Sequence, residues 1–502
     1  MIETRRDPPS DWDSVARFAQ GVRVNLPVRF VSRALALAVQ ALLARLLGPE
    51  GFGRYAVGWN ILRLVENLGP FGVDKAVIRL TAGVGQQRRV VLRAAIVATL
   101  ALALVIGLGF WLLSPFLAIR LFRDPQLVAV LRWFAPGFGL AAGLFVAGAA
   151  ARATQQMEYS ALGQDLAQPA INLVLVGLVF GLGVGLVGYV AAGVASYLLS
   201  LLLMIVFLLR LFPDLRARDP VRLGSVLGLL GAAAPIWLAT LASILISRVD
   251  RIILPAFRPA EVVGVYQAAS QFSTLFPIIL SVFNLAYSPI LAARFKMGTS
   301  NELNTLYRAG TKWGIFLSLP AFVVLFVVPE ALLVTVFGTA FAGGAQMLQV
   351  LMIGQLVNVC TGASGTTLIM TGQERSLARI AWAALLFSLL VSFALIPRLG
   401  AIGAAIAAST AQVLLNGGAL QHIRSTLGLW PYDRTLVKGL VSAMIAGVGL
   451  ALLTSWIDLS PLQTLLLSLG FVGLAYSGAM LLLGLDEEDR TFLRQTTRGI
   501  LR

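Results

Sequence analysis

The chain has 502 residues, 58% of them hydrophobic and only 12% charged, with a net charge of +16. Soluble domains carry about 25% charged residues, so this chain lacks the polar surface to cover soluble cores, and its apolar residues face lipid. A single cysteine, Cys360, excludes an intramolecular disulfide and any multi-cysteine metal site; it reads as a small buried apolar residue, and the single histidine, His422, as an interfacial or helix-end residue. No zinc cluster, Ser-His-Asp set or phosphate-cradling glycine loop is visible, so no metal, cofactor or catalytic site is expected.

Taken in order, the first 23 residues are mixed in charge, and the apolar run after them carries two arginines, unlike a cleaved signal peptide. Trp12, Val15, Phe18, Ala19 and Val22 recur at helical spacing and predict a short amphipathic helix on the membrane surface, with a disordered tail as the alternative. A bilayer core needs about 20 apolar residues per helix. Spans are predicted near 24–47, 53–73, 91–118, 126–150, 160–182 and 185–209, then 224–248, 263–293, 313–336, 343–370, 377–397, 400–422, 438–457 and 461–484, about fourteen in all. The tail begins with Asp486, Glu487, Glu488 and Asp489, and Arg490, Arg494, Arg498 and Arg502 then form a basic stripe. That stripe suits an interfacial helix on anionic lipid, or a solvated one.

The basic residues orient these spans. Of the 39 Lys and Arg, 27 fall on the side holding both termini, 8 on the other, and 4 (Arg29, Arg33, Arg63 and Arg132) within spans. The bias places both termini in the cytoplasm. It also accounts for the net charge without nucleic acid.

An internal repeat divides the chain. Glu50, Gly53 and Tyr55 recur as Glu261, Gly264 and Tyr266; Glu158 and Ser160 as Glu374 and Ser376; Gly185 and Gly188 as Gly400 and Gly403. The near-constant offset predicts two six-helix halves of like orientation, an arrangement in which transporters place substrate between the halves. The expected organisation is an N-terminal segment 1–23, a first bundle 24–210, a linker 211–223, a second bundle 224–424, two extra helices in 438–484 and a basic tail 485–502.

Three runs carry a family resemblance. Ala44-Arg45-Leu46-Leu47-Gly48-Pro49-Glu50-Gly51-Phe52-Gly53-Arg54-Tyr55 resembles the first loop of the polysaccharide-transport family of the multidrug, oligosaccharidyl-lipid and polysaccharide exporter superfamily. Residues 260–266 resemble the matching segment of its second half, and residues 396–405 its signature around spans 11 and 12. The resemblance spans nearly the whole chain and implies two six-helix bundles in a V around a central cavity, plus two extra helices. It implies a flippase carrying undecaprenyl-pyrophosphate-linked sugar units across a bacterial inner membrane. It further implies membrane lipid, a polysaccharide polymerase and a chain-length regulator as partners. Lipid II flippases share the fourteen spans, and drug exporters of the superfamily usually have twelve.

The charges inside spans point to a site. An arginine at mid-bilayer costs about 2.5–3.5 kcal/mol if it faces lipid. Arg29 and Arg33 share a helical face that Asn25 continues, with Arg33 roughly 14 Å deep. Asn60, Arg63, Glu66 and Asn67 form one stripe on span 2. Glu66 neutralises one arginine only, and the remaining positive charge suits a pyrophosphate, whose oxygens accept bidentate guanidinium bonds. Pairing with Glu66 and backbone carbonyls, or snorkelling, is the structural alternative. In the second half, Thr240, Ser243 and Ser247 lead to Arg248, Asp250 and Arg251, while Gln267, Ser270, Gln271 and Thr274 line span 8. These fit either sugar hydroxyls or helix–helix hydrogen bonding. Pro235, Pro277 and Pro320 are candidate bending points. A glycan polymerase needs a large outer loop with catalytic residues, and a cation-coupled drug exporter needs more cavity acids; the sequence offers neither.

Overall fold

The computed structural model describes residues 11–73, 77, 86–152, 157–211, 223–281, 284, 291, 295 and 300–484, and these are predominantly helical, with no strand among them. Among the described residues, twelve helices are long and apolar enough to cross a membrane. Large apolar side chains crowd the outside, among them Leu104 at 70% exposure and Leu482 at 89%. This is a multi-pass membrane protein, because such a surface is stable only against lipid.

Helix α1 (Asp11–Leu68) is broken at Gly48 (φ 64°, ψ 178°). Its apolar part, 27–68, would be about 63 Å long if straight, twice a bilayer core. The left-handed glycine and Pro49 behind it separate two arms, 27–47 and 49–68. The backbone of residues 11–23 runs on helically into the first arm, where the sequence suggested a separate surface helix. Then follow α2 (Gln86–Phe116), a π-helical turn Leu117–Leu121, α3 (Leu127–Arg152), α4 (Met157–Ser160), a second π turn Ala161–Leu166, α5 (Ala167–Leu182), α6 (Gly185–Leu211) and α7 (Leu223–Ile246). These make one compact unit, Met1–Arg248. Helix α7 packs inside it: the Trp237 indole donates to the Leu68 carbonyl at 3.0 Å and stacks on Phe71, and Gly72 lies against the Ala233 carbonyl. The unit ends at Arg248, and residues 212–222, within the expected linker 211–223, lie outside the described residues.

The second unit, Val249–Arg502, contains α8 (Val249–Phe257), α9 (Ala260–Leu275), α10 (Ser300–Val327), α11 (Pro329–Phe337), α12 (Ala345–Cys360), α13 (Ser364–Met370), α14 (Glu374–Leu399), α15 (Ala401–Leu427), α16 (Leu436–Trp456) and α17 (Pro461–Leu482). Each unit centres on a helix of small residues: α3 with Ala141, Ala142, Ala149 and Ala151, and α15 with Ala404, Ala405, Ala407 and Ala411, all buried. Small side chains let backbones approach closely, as where Gly354 meets the Ser409 Cα.

The repeat's glycines have geometric reasons. Gly185 and Gly400 both take positive φ (73° and 65°) where α6 and α15 begin. A Cβ on Gly188 would lie 2.7 Å from Val184, and one on Gly403 would lie 2.5 Å from the Leu395 carbonyl.

Two spans differ from expectation. The span predicted at 313–336 starts earlier, at Leu303, and ends at Val327, with Pro329 opening a separate helix. Lys312, which is not among the four basic residues expected within spans, is buried in α10. The span predicted at 343–370 is discontinuous: Thr361–Ala363 separate α12 from α13, with Gly362 at φ +64°. Pro320 sits inside α10. The side chain of Pro235 and the basic tail 485–502 lie outside the described residues.

Candidate functional site

The first unit gathers the charges that the sequence placed within spans. Arg29 and Arg33 lie four residues apart on the first arm and both are exposed, with no salt bridge to an acid among the described residues. Asn25 continues this helix, its side chain outside the described residues. Arg33 experiences the fields of Arg29, Arg63, Glu66 and Asp165. These groups are therefore electrostatically coupled.

Arg63, on the second arm, is differently placed. Its Nη1 donates to Glu66 Oε2 at 2.8 Å. Its guanidinium lies 4.8 Å from the Trp59 ring centroid and 5.8 Å from that of Tyr197. The Tyr197 hydroxyl also donates to Glu66 Oε2, at 3.1 Å, and Asn67 Nδ2 donates to the Arg63 carbonyl at 2.8 Å. Asn60 is buried on the same arm. The i, i+3 spacing of Arg63 and Glu66 makes this pair local, and the aromatic rings of Trp59 and Tyr197 shield it. The structure thus divides the three arginines. Arg63 is held by an internal carboxylate, and Arg29 and Arg33 present their charge outward.

Two further charges join them from helices the sequence reading did not connect to the site. Arg152, at the end of α3, donates through Nη1 to Ser160 Oγ at 2.7 Å and to Gln164 Oε1 at 2.9 Å. Asp165, in the second π turn, feels Arg152, Arg29, Arg33 and Glu66. The Ser32 hydroxyl donates to the Asp165 carbonyl at 2.5 Å, tying that turn to the arginine arm. Among the described residues, Arg152 and Asp165 thus adjoin the arginine arm, with Asp165 in the fields of Arg152, Arg29 and Arg33. Asp165 was detectable in sequence by the argument used for the arginines, as a lone acid in an apolar span. Arg152 was not, because its position at a helix end resembles ordinary interfacial charge.

The candidates of the second half lie elsewhere. Arg248 closes the first unit and is half-buried. Asp250, Arg251 and Gln267 are buried in the second unit, with Gln271 half-buried. The Tyr266 hydroxyl donates to Asp250 Oδ2 at 2.5 Å, and Arg251 Nε stands 3.8 Å from the same oxygen. The Tyr266 hydrogen bond fastens α9 to α8, and the Arg251–Asp250 contact lies within α8. The hydroxyls of Ser270, Ser273 and Thr274 donate to carbonyls three residues back in their own helix, a local satisfaction common for such residues in helices. Arg132, within α3, lies over the Trp111 ring at 4.8 Å on the exposed surface.

Three comparisons bear on this arrangement. A search of curated protein sequences finds no match. Among solved structures, a lipid II flippase MurJ in an inward closed conformation is similar at a TM-score of 0.77 and 15% identity, covering 92% of this chain and 98% of its own. An inward-facing multidrug resistance MATE family transporter of the MOP superfamily follows at 0.66 and 15%, covering 81% and 98%. A MOP superfamily transporter from Pyrococcus furiosus gives 0.55 and 16%, covering 83% and 96%. At these identities the likeness establishes the fold alone. A family profile described as "Polysaccharide biosynthesis protein" matches residues 42–345, more than half the chain, so the chain belongs to that family, on the fold of the MOP superfamily.

Proposed function

We propose that the protein is a flippase that moves undecaprenyl-pyrophosphate-linked oligosaccharide units from the cytoplasmic to the periplasmic leaflet by alternating access. In this reading fourteen spans cross the inner membrane with both termini in the cytoplasm. The observation that carries it is the pair Arg29 and Arg33: two exposed guanidinium groups on an apolar arm, unpaired with an acid among the described residues. Charge so placed is costly unless it meets water or an anionic ligand. A diphosphate diester is doubly anionic and offers the oxygens that guanidinium groups grip in pairs. The two exposed guanidinium groups of Arg29 and Arg33 match its two charges. Membership of a polysaccharide biosynthesis family supplies the cargo class.

Flipping of lipid II is the second reading, supported by the similarity to the lipid II flippase fold. It shares the diphosphate head and differs in the sugar. The test is a strain lacking the protein. Lipid-linked oligosaccharide should accumulate on the cytoplasmic leaflet there and redistribute when the wild-type chain is restored. Accumulation of lipid II instead would select the second reading, and no accumulation of either would reject both.

A further inference from the structure

We propose that Asp165 is the resident counter-charge of the Arg29–Arg33 face: held beside that arm without ion-pairing to it, its carboxylate tempers the arginines' field and so sets how firmly the diphosphate is held. This rests on the reading of Arg29 and Arg33 given above. It adds a residue that sets how tightly, and how reversibly, the anion is held.

Ala161–Leu166 forms a π turn within an otherwise α-helical span, and such single-turn bulges recur at functional sites. An α-helix through this segment would present its side chains at regular 3.6-residue spacing. The wider turn instead brings Gln164 to Arg152, at 2.9 Å, and the Asp165 carbonyl to Ser32 Oγ, at 2.5 Å. Two glycines seat it: a Cβ on Gly148 would strike Gln164 Oε1, and one on Gly163 would lie 2.8 Å from Met204 Sδ. Ser32 is the residue just before Arg33, so the bulge is fastened beside the arginine pair.

The charges then sort themselves. Glu66 already accepts from both Arg63 and Tyr197. Arg152 donates to Ser160 and Gln164. Asp165 is the second carboxylate here: its backbone is tied to Ser32, next to Arg33, and it lies in the field of Arg152 first and then of Arg29 and Arg33. A transporter must release what it binds. A wholly uncompensated cationic face would hold a diphosphate too firmly and would also capture free phosphate. A carboxylate fixed beside the arginines lowers that affinity.

The test uses the full-length protein in nanodiscs with two probes, inorganic pyrophosphate and undecaprenyl pyrophosphate. Asp165→Asn should bind both about 3- to 30-fold tighter, the range expected for one unit charge several ångströms away in a partly hydrated site, and should release them more slowly. Asp165→Glu, which keeps the charge, should restore affinity toward wild type. In an Arg33→Gln background the gain from Asp165→Asn should fall below about 2-fold, because the two residues act on each other. Unchanged or weaker pyrophosphate binding by Asp165→Asn overturns the proposal, as does a gain that persists without Arg33 or an absence of pyrophosphate binding by every variant. If inorganic pyrophosphate behaves as described and the lipid does not bind, Asp165 keeps its role and the lipid-carrier reading fails. If Asp165→Asn does not insert, Ser32→Ala, which unfastens the bulge, should give a smaller tightening in the same sense, and no change would count against the proposal equally.

Discussion

Arg33 and Arg63 look alike in the sequence, both at mid-depth in adjoining spans, yet the structure predicts opposite consequences for removing them. Arg33 is exposed and holds no acid among the described residues. Substituting alanine should leave folding unaffected and cost ligand binding. A unit charge about 5 Å from a doubly charged diphosphate, at an effective dielectric near that of water, contributes about 1–2 kcal/mol, or roughly 5- to 30-fold in affinity. Reversal to Arg33→Glu should about double that free energy. Arg63 donates at 2.8 Å to Glu66, whose side chain is 11% exposed. Its removal strands a carboxylate that is largely out of water, which should cost about 2–4 kcal/mol of stability, near the lower part of the range for broken buried pairs. The assay pairs thermal unfolding of the purified variants with their affinity for undecaprenyl pyrophosphate. Loss of stability in Arg33→Ala, or an undiminished melting temperature in Arg63→Ala, would refute the division of roles drawn from the geometry.

Three further outcomes follow from individual contacts. Replacing both members of the pair, Arg63→Gln with Glu66→Gln, should recover most of the stability lost in Arg63→Ala, as judged by melting temperature, since no buried charge is then stranded. Gly362→Ala should cost about 2–4 kcal/mol in a denaturation series, because the residue sits at φ +64° and the new methyl would collide with the buried Thr311 hydroxyl. Tyr266→Phe should lower stability by about 1–2 kcal/mol by removing the 2.5 Å hydrogen bond to buried Asp250, with ligand affinity unchanged.

The sequence made the helical membrane architecture legible because lipid imposes one rule on every span. It requires about 20 apolar residues, and 58% hydrophobic composition in long runs meets that requirement repeatedly. It also located Arg29, Arg33, Arg63 and Glu66, since any charge inside such a run stands out. What it missed depends on partners distant along the chain. Whether Arg63 faces Glu66 and two aromatic rings or the open side is decided by Tyr197, which lies 134 residues away. Lys312 read as lying outside the spans because a charge normally ends one, whereas here it is buried within one. The discontinuity at Gly362 was hidden by apolar neighbours on both sides, as hydropathy carries no information about φ. The π turn at Ala161–Leu166 had no signature at all. The polar stripe of Gln267, Ser270 and Thr274 showed spacing without its use: its two hydroxyls, of Ser270 and Thr274, serve their own helix.

The most direct measurement is leaflet-resolved transport. Proteoliposomes carrying the purified protein and a fluorescent undecaprenyl-pyrophosphate-linked oligosaccharide are challenged with a membrane-impermeant quencher, comparing wild type with the Arg29→Ala, Arg33→Ala double variant at equal protein density. The account predicts that wild type exchanges the lipid between leaflets and that the double variant, folded and inserted to the same extent, does so at least about tenfold more slowly. Equal rates for the two proteins, or a wild-type rate no higher than protein-free vesicles, would contradict it.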